Sequence, residues 1–251
     1  MIEIDKIYCE PCLTTMAKMP DNCVDLIVTS PNYNNFRNKR TQAKRADYWA
    51  RTNIEYDICA DKQSDEDYAN EQIQIINEML RVLKPTGTIC YNHKDRIYNF
   101  EVLSPLTWIL KTNAKYRQRI TWNRGGMQAY NPIRFYRVEE DIYILGKESK
   151  GFFWNKNCAK YLSVWNIAPS RNNLGHPATF PEKLVHRCVE AFTDRNFLVY
   201  DPYMGSGTTA IVAKNMQRHF IGSEISKKYC CIAENRLNQI SNFDTINSRT
   251  L

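Results

Sequence analysis

Residues 197–210 read FLVYDPYMGSGTTA, and the two halves of this stretch have opposite character. The apolar run Phe197–Tyr200 predicts a buried strand, which ends at the acid Asp201. The glycine-rich turn that follows predicts a helix from Thr208, since Gly205–Ala210 fits the pattern G-x-G-x-x-G/A. Glycines let a backbone approach a ligand, and a helix N-terminus attracts polar or negative groups. No lysine follows the second glycine, so the turn is not a Walker A phosphate loop.

The next predicted strand, His219–Glu224, also ends in an acid. A carboxylate placed one strand–helix–strand unit after a glycine turn can accept two hydrogen bonds from ribose hydroxyls. The pair therefore predicts a cofactor that contains a nucleoside, although ordinary strand ends explain either feature alone. Dinucleotide dehydrogenases use the same geometry, but in their first strand–turn–helix unit, whereas here it lies near the end of the sequence.

Residues 24–35, VDLIVTSPNYNN, show a second abrupt strand end. The apolar, β-branched residues that follow Val24 predict a buried strand, which stops at Ser30 and Pro31. A hydroxyl, a proline, an amide and an aromatic ring then occupy four consecutive positions. Taken alone, this is a β-turn in which proline and asparagine are ordinary residues.

Apolar periodicity alternates between strand-like and helix-like segments, which predicts a single α/β domain over residues 1–251 with a mostly parallel sheet. The predicted strands are residues 6–9, 24–29, 88–91, 118–122, 140–145, 197–200 and 219–225. The predicted helices are residues 13–19, 64–83, 100–110, 181–192, 208–216 and 226–240. Residues 147–175 show no clear period and are interpreted as an irregular insert.

The composition is that of an ordinary globular protein, with 43% hydrophobic and 24% charged residues. The sequence contains no apolar stretch of about 18 residues, so it predicts no transmembrane helix. The first residues also lack the features of a signal peptide, and we therefore expect a cytoplasmic protein. The nine cysteines are scattered, which favours reduced thiols. Cys9 and Cys12 form a lone C-x-x-C without a second pair or a nearby histidine, so no metal site is predicted.

A net charge of +7 and a pI of about 8.9 favour a polyanionic partner. The charge is concentrated in residues 34–51, NNFRNKRTQAKRADYWAR, where aromatic residues lie among basic ones and only Asp47 is acidic. Such a run is ordinarily a solvated face. Because this one directly follows the turn after Val24–Thr29, we predict a phosphate-contacting loop over about residues 34–62.

Four segments, in order along about 170 residues, resemble the amino-methylating DNA methyltransferases. Thr29–Asn34, TSPNYN, resembles the catalytic T-S-P-P-Y-N motif of that family, and Asp201–Thr209, DPYMGSGTT, resembles its cofactor loop D-P-F-x-G-S-G-T-T. His176–Leu184, HPATFPEKL, matches the element H-P-x-x-x-P-x-x-L, and Arg81–Gly87, RVLKPTG, matches R-V-L-K-P-G-G. A catalytic motif before the cofactor loop is typical of the circularly permuted β-class.

The resemblance implies a Rossmann-like methyltransferase fold: a seven-stranded, mostly parallel sheet with helices on both faces and one antiparallel strand near an edge. It also implies S-adenosylmethionine over the carboxyl ends of the strands, with Asp201 and the Tyr203–Gly207 backbone beside the methionine part, Glu224 on the ribose, and the element around Thr179 closing over the cofactor. The implied cofactor-binding residues are Cys12, Thr29, His176, Thr179, Asp201, Tyr203, Met204, Gly205, Ser206, Gly207, Thr208 and Glu224.

Two positions depart from the family pattern. Asn32 stands where proline is usual in the catalytic motif. Pro11 stands where the family has an acid that contacts adenine, with Glu10 one place early. We therefore expect backbone groups, or apolar packing from Ile221 and its neighbours, to hold the adenine.

The turn fits the chemistry that the resemblance implies. An exocyclic amine is a poor nucleophile because its lone pair is delocalised into the ring; the Ser30 hydroxyl and the Pro31 carbonyl can accept its two hydrogens. Proline fixes φ, and so fixes where its carbonyl points. Tyr33 would stack on a base flipped out of the duplex. The predicted catalytic residues are Ser30, Pro31, Asn32 and Tyr33, with no covalent intermediate and no metal ion.

Serine at the first motif position is typical of cytosine-N4 enzymes and Asp or Asn of adenine-N6 enzymes, so N4 is favoured and N6 is the alternative. Cytosine-C5 chemistry by Cys12 would need an E-N-V motif, which is absent. RNA and protein-glutamine methyltransferases more often carry N-P-P-[YF] after the cofactor loop. A non-catalytic DNA-binding module would explain the charge but would give neither strand-end motif a role.

The predicted partner is double-stranded DNA, with Arg37, Lys39, Arg40, Lys44 and Arg45 on phosphates and Arg124 at the base pocket. Residues 147–175 lie where the family carries its target-recognition region. They include side chains suited to base edges: Trp154, Asn155, Lys156, Asn157, Lys160 and Tyr161. The recognition sequence does not follow from the residues. Any cognate restriction endonuclease would be a separate chain, and the oligomeric state, a homodimer included, stays open.

Overall fold

The computed structural model describes residues 2–34, 63–98, 101–125, 135, 137–170 and 180–247 of the 251-residue chain. The strands are β1 Lys6–Tyr8, β2 Val24–Thr29, β3 Leu83–His93, β4 Arg96–Tyr98, β5 Glu101–Leu103, β6 Lys115–Asn123, β7 Glu139–Gly146, β8 Val164–Asn166, β9 Leu198–Asp201 and β10 His219–Ser223. The helices are α1 Cys12–Ala17, α2 Asp65–Val82, α3 Leu106–Ile109, α4 Glu182–Phe192, α5 Thr208–Asn215 and α6 Lys227–Asn247, with a 3₁₀ helix at Lys156–Lys160. None of the described helices is long and apolar enough to cross a membrane.

Eight of the described strands form one sheet in the order β1-β10-β9-β2-β3-β7-β6-β8, and β4 pairs with β5 in a separate hairpin. Every neighbouring pair in the large sheet is parallel except the two that involve β7, which runs antiparallel to β3 and to β6. The predicted α/β fold with one antiparallel strand near an edge is confirmed. The described sheet has eight strands instead of seven because the short β8 adds to β6 at the edge.

Strands β2 and β9 lie side by side in the middle of the sheet although they are far apart in sequence, with Ile27 opposite Tyr200. Ligands of open α/β sheets bind outside the carboxyl ends of the strands, where the strand order reverses. The two strand ends that the sequence singled out, after Thr29 and at Asp201, therefore meet at such a point. Because β7 is antiparallel, its amino end faces the same edge.

Helices cover both faces of the sheet. Helices α1, α2 and α3 pack on one face, and α4 and α5 pack on the other. Helix α2 begins as predicted, because the Ser64 hydroxyl accepts a hydrogen bond from the Asp67 N–H. Its buried stripe has helical spacing and consists of Tyr68, Gln72, Ile75, Ile76, Met79, Leu80 and Val82. The polar members of this stripe, Tyr68 and Gln72, lie in the amino-terminal half of the helix, where Tyr68 reaches the Ser30–Tyr33 turn.

Three elements differ from the sequence prediction. The helix expected over residues 100–110 is reduced to α3, because Glu101–Leu103 pairs with β4 as a hairpin and Pro105 caps the short helix. Strand β3 begins at Leu83 instead of Thr88, and a register shift against β2 accommodates its irregular start. Helix α6 continues to Asn247, beyond the predicted end at residue 240.

Candidate active site

The carboxyl edge of the sheet gathers polar residues from six strands. They follow or end β2, β3, β6, β9 and β10 and begin the antiparallel β7, and they are Ser30, Asn92, Arg124, Asp201, Glu224 and Glu140. Two groups can be distinguished along this edge. Asp201 and Glu224 belong to the glycine loop, and the other four surround the Ser30–Tyr33 turn.

Asp201 is buried at the end of β9 and holds the start of the glycine loop. One carboxylate oxygen accepts a hydrogen bond from the Thr209 hydroxyl at 2.6 Å, and the other accepts one from the Tyr203 N–H at 3.0 Å. Burial raises the pKa of Asp201 to about 6, against the lowering effect of these donors. The acid predicted from the sequence is therefore also the residue that closes the loop onto α5.

The glycine loop requires glycine at its turn into α5. Gly207 has a φ of 84°, a left-handed conformation, and a Cβ there would lie 2.7 Å from the Cβ of Ala233. The side chains of Met204, Ser206 and Thr208 are buried beneath the loop. The loop thus turns its backbone, not these side chains, toward the edge of the sheet.

Glu224 joins the end of β10 to the same loop. One carboxylate oxygen accepts the Gly205 N–H at 2.8 Å, and the other accepts the Ser226 N–H at 2.9 Å. Burial raises the pKa of Glu224, and these backbone donors oppose the shift. A carboxylate has about four lone-pair directions, so two remain for further donors such as a pair of hydroxyls.

The segment before α1 does not offer a free acid. Glu10 accepts hydrogen bonds from Thr15 at 3.0 Å and from Lys18 at 2.6–2.7 Å, so its carboxylate is engaged within the helix that it precedes. Pro11 caps α1, and Cys12 is buried, which raises the pKa of its thiol to about 11. The expectation that backbone groups or apolar packing near Ile221 hold the adenine stays a prediction.

A network of short hydrogen bonds surrounds the Ser30–Tyr33 turn. The hydroxyls of Ser30 and Tyr33 lie 2.8 Å apart, and Tyr33 donates to Glu140 Oε2 at 2.9 Å. Asn92 Nδ2 lies 2.6 Å from the Tyr33 oxygen, 2.9 Å from Glu140 Oε2 and 3.3 Å from Ser30 Oγ. Arg124 pairs with the other oxygen of Glu140 at 2.6 Å. Burial, followed by the charge of Glu140, raises the pKa of Tyr33 well above its usual value.

A second set of contacts holds the backbone of the turn. Tyr68 of α2 donates to the carbonyl oxygen of Asn32 at 2.5 Å, and its oxygen lies 2.9 Å from Nε2 of His93. The His93 ring packs against Tyr33 with the ring centres 4.6 Å apart, and Lys94 Nζ lies 4.9 Å from the Tyr33 centre. Burial lowers the pKa of His93 to about 3, so the ring is neutral.

The turn ends at Asn34, a buried residue with a φ of 44°. The Asn34 side-chain amide donates to the carbonyl of Gln63 at 3.0 Å, and the Arg96 guanidinium donates to the backbone carbonyl of Asn34 at 2.6 Å. Arg96 also pairs with Asp65 at the start of α2. Asn34 and Gln63, the described residues on either side of residues 35–62, are therefore tied together.

The DNA methylase family matches residues 24–235 of the chain, which include both strand-end motifs and the network between them. The chain belongs to the DNA methylase family. It is 30% identical to the type II methyltransferase M.BglII of Bacillus subtilis over 92% of this chain and 68% of that protein. It is 27% identical to M.HpaI of Haemophilus parainfluenzae over 97% of this chain and 78% of that protein.

Solved structures share the fold at lower sequence identity. The PvuII DNA methyltransferase, described as cytosine-N4-specific, superposes with a TM-score of 0.73 at 18% identity, over 91% of this chain and 84% of that one. A DNA modification methylase of Thermus thermophilus in complex with S-adenosylmethionine superposes with a TM-score of 0.66 at 20% identity, over 93% and 94% of the two chains. The predicted methyltransferase fold is thereby confirmed.

The methyl donor of this DNA methylase is S-adenosylmethionine, and the glycine-loop half of the edge fits it. Glu224 retains two lone-pair directions for ribose hydroxyls, and the loop exposes backbone instead of bulky side chains. Asp201 is held beside this loop, and Thr29 is buried at the end of the neighbouring strand. The cofactor, when bound, supplies an electrophilic methyl group.

The DNA-contacting residues predicted for the DNA methylase fall into two groups. Arg124 is described: it pairs with Glu140 and lies over the Trp122 ring, so it belongs to the network around the turn. The remaining predicted contacts lie outside the described residues, as do two predicted cofactor residues. These are Arg37, Lys39, Arg40, Lys44, Arg45, His176 and Thr179.

The first half of the predicted target-recognition insert lies near the amino ends of the parallel strands, opposite to their carboxyl ends. The Asn155 amide and N–H donate to carbonyls of Glu190 and Ala191, and Tyr161 donates to the Glu190 carboxylate. This end of α4 leads into the amino end of β9, away from the catalytic turn. The insert reaches the carboxyl edge only at the end of β8, where Asn166 accepts a hydrogen bond from Asn123.

The sequence prediction missed Tyr68, Asn92, His93 and Glu140. Asn92 and His93 directly follow the predicted strand 88–91, so their position at a strand end was available from the sequence. Glu140 is the first residue of the predicted strand 140–145, and only the antiparallel direction of β7 brings it to this edge.

Proposed function

We propose that this DNA methylase transfers a methyl group to N4 of a cytosine that is flipped out of duplex DNA within a specific sequence. The observation that carries the proposal is the serine at the first position of the turn, whose hydroxyl is held by Tyr33 and Asn92 at the carboxyl end of β2. The PvuII enzyme, which has the same fold and is described as cytosine-N4-specific, supports this choice. The order of the motifs supports the permuted β-class.

Two acceptors in the turn activate the amine in this proposal. The Asn32 carbonyl is engaged by Tyr68, so the Pro31 carbonyl is assigned as the second acceptor beside Ser30 Oγ. Two hydrogen bonds from the amine draw its nitrogen toward a tetrahedral geometry and free its lone pair from the ring. The nitrogen would then attack the methyl carbon in line while the bond from that carbon to sulfur breaks with its electron pair going to sulfur, and the nitrogen would lose one proton to solvent to give the neutral methylamine. Orientation supplies much of the rate.

Binding of the DNA is assigned to residues outside the catalytic network. Arg37, Lys39, Arg40, Lys44 and Arg45 are proposed to contact phosphates, which provide most of the affinity but little of the sequence preference. The target-recognition role is assigned to the part of the insert that follows β8, because Asn166 reaches the carboxyl edge. Any endonuclease that recognises the same sequence is proposed to be a separate chain.

The product of the reaction tests the proposal directly. The chain is incubated with labelled S-adenosylmethionine and duplex DNA from a strain without methyltransferases, and the DNA is digested to nucleosides for mass spectrometry. N4-methylcytosine is the expected product. N6-methyladenine would instead establish the other amine of the family as the substrate. RNA and protein incubated in parallel should remain unlabelled.

Replacement of Ser30 by alanine tests the mechanism. Ser30→Ala removes one acceptor without adding bulk or charge, and it leaves Asp201, Glu224 and the glycine loop intact. Affinities for cofactor and DNA should persist, while single-turnover methyl transfer should slow about 10²-fold, as for loss of one transition-state hydrogen bond. A variant that transfers at the parent rate would mean that the amine is activated elsewhere.

A further inference from the structure

We propose that Glu140 is a positioning residue for methyl transfer: its carboxylate sets the direction of the hydrogen bonds through Tyr33, so that Ser30 presents a lone pair to the target amine. The inference rests on the proposed amine chemistry of Ser30. It explains how a neutral hydroxyl, which can donate as readily as it accepts, is made to act as an acceptor.

The chain of hydrogen bonds begins at a group that can only accept. Glu140 is 5% exposed, and Arg124 pairs with one of its oxygens at 2.6 Å. The other oxygen, Oε2, lies 2.9 Å from both the Tyr33 hydroxyl and Asn92 Nδ2. A carboxylate in this position has no proton to give, so both neighbours must donate to it.

Tyr33 then determines which of its neighbours donate hydrogen bonds. A phenol has one hydrogen, and Tyr33 gives it to Glu140, so the Tyr33 oxygen can only accept from its other neighbours. These neighbours are Asn92 Nδ2 at 2.6 Å and Ser30 Oγ at 2.8 Å. The nearby carboxylate also fixes the Asn92 amide, because an amide oxygen turned toward it would be repelled.

Ser30 receives its orientation from Tyr33. Its hydroxyl hydrogen points to Tyr33, which leaves its lone pairs as acceptors. Asn92 Nδ2 lies 3.3 Å from Ser30 Oγ, but its two hydrogens are directed to the nearer Tyr33 and Glu140 oxygens. A lone pair of Ser30 is therefore available to an N–H of the target base. Without the carboxylate, Tyr33 could donate to Ser30, and the serine hydrogen could then face the amine and oppose it.

Glutamine at position 140 reverses this order while it preserves the shape of the side chain. The Arg124 guanidinium only donates, so it selects the amide oxygen of the new side chain. The amide nitrogen then faces Tyr33 and Asn92, and Tyr33 must turn its hydrogen toward Ser30. We expect Glu140→Gln to slow single-turnover methyl transfer about 10²-fold, with unchanged affinity for S-adenosylmethionine and for DNA.

A double-mutant cycle with Tyr33→Phe separates this role from a merely structural one. Phenylalanine keeps the ring against His93 and leaves the pair of Glu140 and Arg124 intact, but it cannot transmit direction to Ser30. Tyr33→Phe should therefore slow transfer to a similar degree. Because both changes interrupt one chain, the double variant should also be about 10²-fold slow, and not about 10⁴-fold.

Glu139→Gln is the matched control, since Glu139 precedes Glu140 in the same strand but pairs with Arg137 and does not contact the turn. It should transfer at the parent rate. All rates are counted as label transferred to total duplex DNA, so they do not depend on which base is methylated. Wild-type chain without any transfer would overturn the proposed function. Parent-like rates in Tyr33→Phe, or multiplied losses in the double variant, would overturn only the role of Glu140.

Discussion

The Tyr68 hydroxyl donates a hydrogen bond of 2.5 Å to the carbonyl oxygen of Asn32, which fixes the catalytic turn to helix α2. Since the tyrosine hydrogen is used there, the Tyr68 oxygen must accept from Nε2–H of His93 at 2.9 Å. Nδ1 of His93 lies 2.9 Å from the Lys94 nitrogen and 2.8 Å from the Lys94 carbonyl oxygen. His93 and Tyr68 therefore form a directed chain that ends on the Asn32 carbonyl of the turn.

We expect Tyr68→Phe to loosen the turn and to lower stability. The variant leaves the buried His93 N–H and the Asn32 carbonyl without this partner, which costs about 1–3 kcal/mol per unsatisfied group. Urea unfolding should show a loss of about 2–6 kcal/mol for the two groups together, and single-turnover methyl transfer should slow about 10-fold. Tyr161→Phe is the control: it removes a tyrosine hydroxyl that donates to Glu190, away from the turn. If both variants slowed transfer equally, Tyr68 would have no special relation to the turn.

Glu224→Gln should weaken S-adenosylmethionine. Two hydrogen bonds from ribose to a carboxylate become bonds to a neutral amide, and the difference of about 1 kcal/mol or more for each predicts a loss of about 10- to 100-fold. Isothermal calorimetry on the folded variant measures it. Glu10→Gln should change the affinity less than about two-fold, because Glu10 is engaged by Lys18 and Thr15. Equal effects of the two substitutions would contradict the assignment.

The basic segment should control the salt dependence of DNA binding. Replacement of Lys39 and Arg40 by alanine removes two proposed phosphate contacts, so the slope of log affinity against log salt should fall by up to about 1.8. The preference among DNA sequences should barely change. Alanine at Lys6 and Lys150 gives a control with the same loss of charge at other surface positions. An unchanged slope in the first variant would show the segment to be a solvated face.

Stability should depend on pH through Asp201. Its pKa is raised from 3.8 to about 6 in the folded chain, so between these values the folded state binds more protons than the unfolded state. Stability from this group is therefore present below about pH 4 and is lost as the pH rises through about 6, by about 3 kcal/mol. Asp201→Asn does not titrate, so its stability relative to wild type should rise from pH 4 to pH 7 in urea unfolding. A constant difference would contradict the raised pKa.

The strand ends could be predicted from the sequence because each is visible locally. An apolar run that stops at Ser30 or at Asp201 needs only neighbouring residues to be noticed, and parallel strands bring such ends to one edge. Glu140 could not be placed in this way. Glu140 stands at the amino end of its strand. In a parallel strand that end would lie away from the Ser30–Tyr33 turn, and in the antiparallel β7 it lies beside the turn. Apolar periodicity does not reveal whether a strand runs parallel or antiparallel to its neighbours.

Hydrogen bonds between buried polar side chains were a second feature that the sequence could not predict. Tyr68 falls on the apolar stripe of α2, where its spacing indicates only that it is buried. Its partners, Asn32 and His93, come from two other segments of the chain, and no local pattern links them. Hydrogen bonds between distant segments depend on the packing of α2 on the sheet, which the sequence indicates only in outline.

The hydrogen bond from Asn34 to Gln63 joins the two described residues that flank residues 35–62. For a flexible loop between joined ends, each doubling of the loop length costs about 0.6 kcal/mol in closure entropy. Closure entropy alone therefore sets only a low barrier to a longer or a shorter segment between Asn34 and Gln63, and a protein engineer who varies the length of this segment starts from two ends that the fold already holds together.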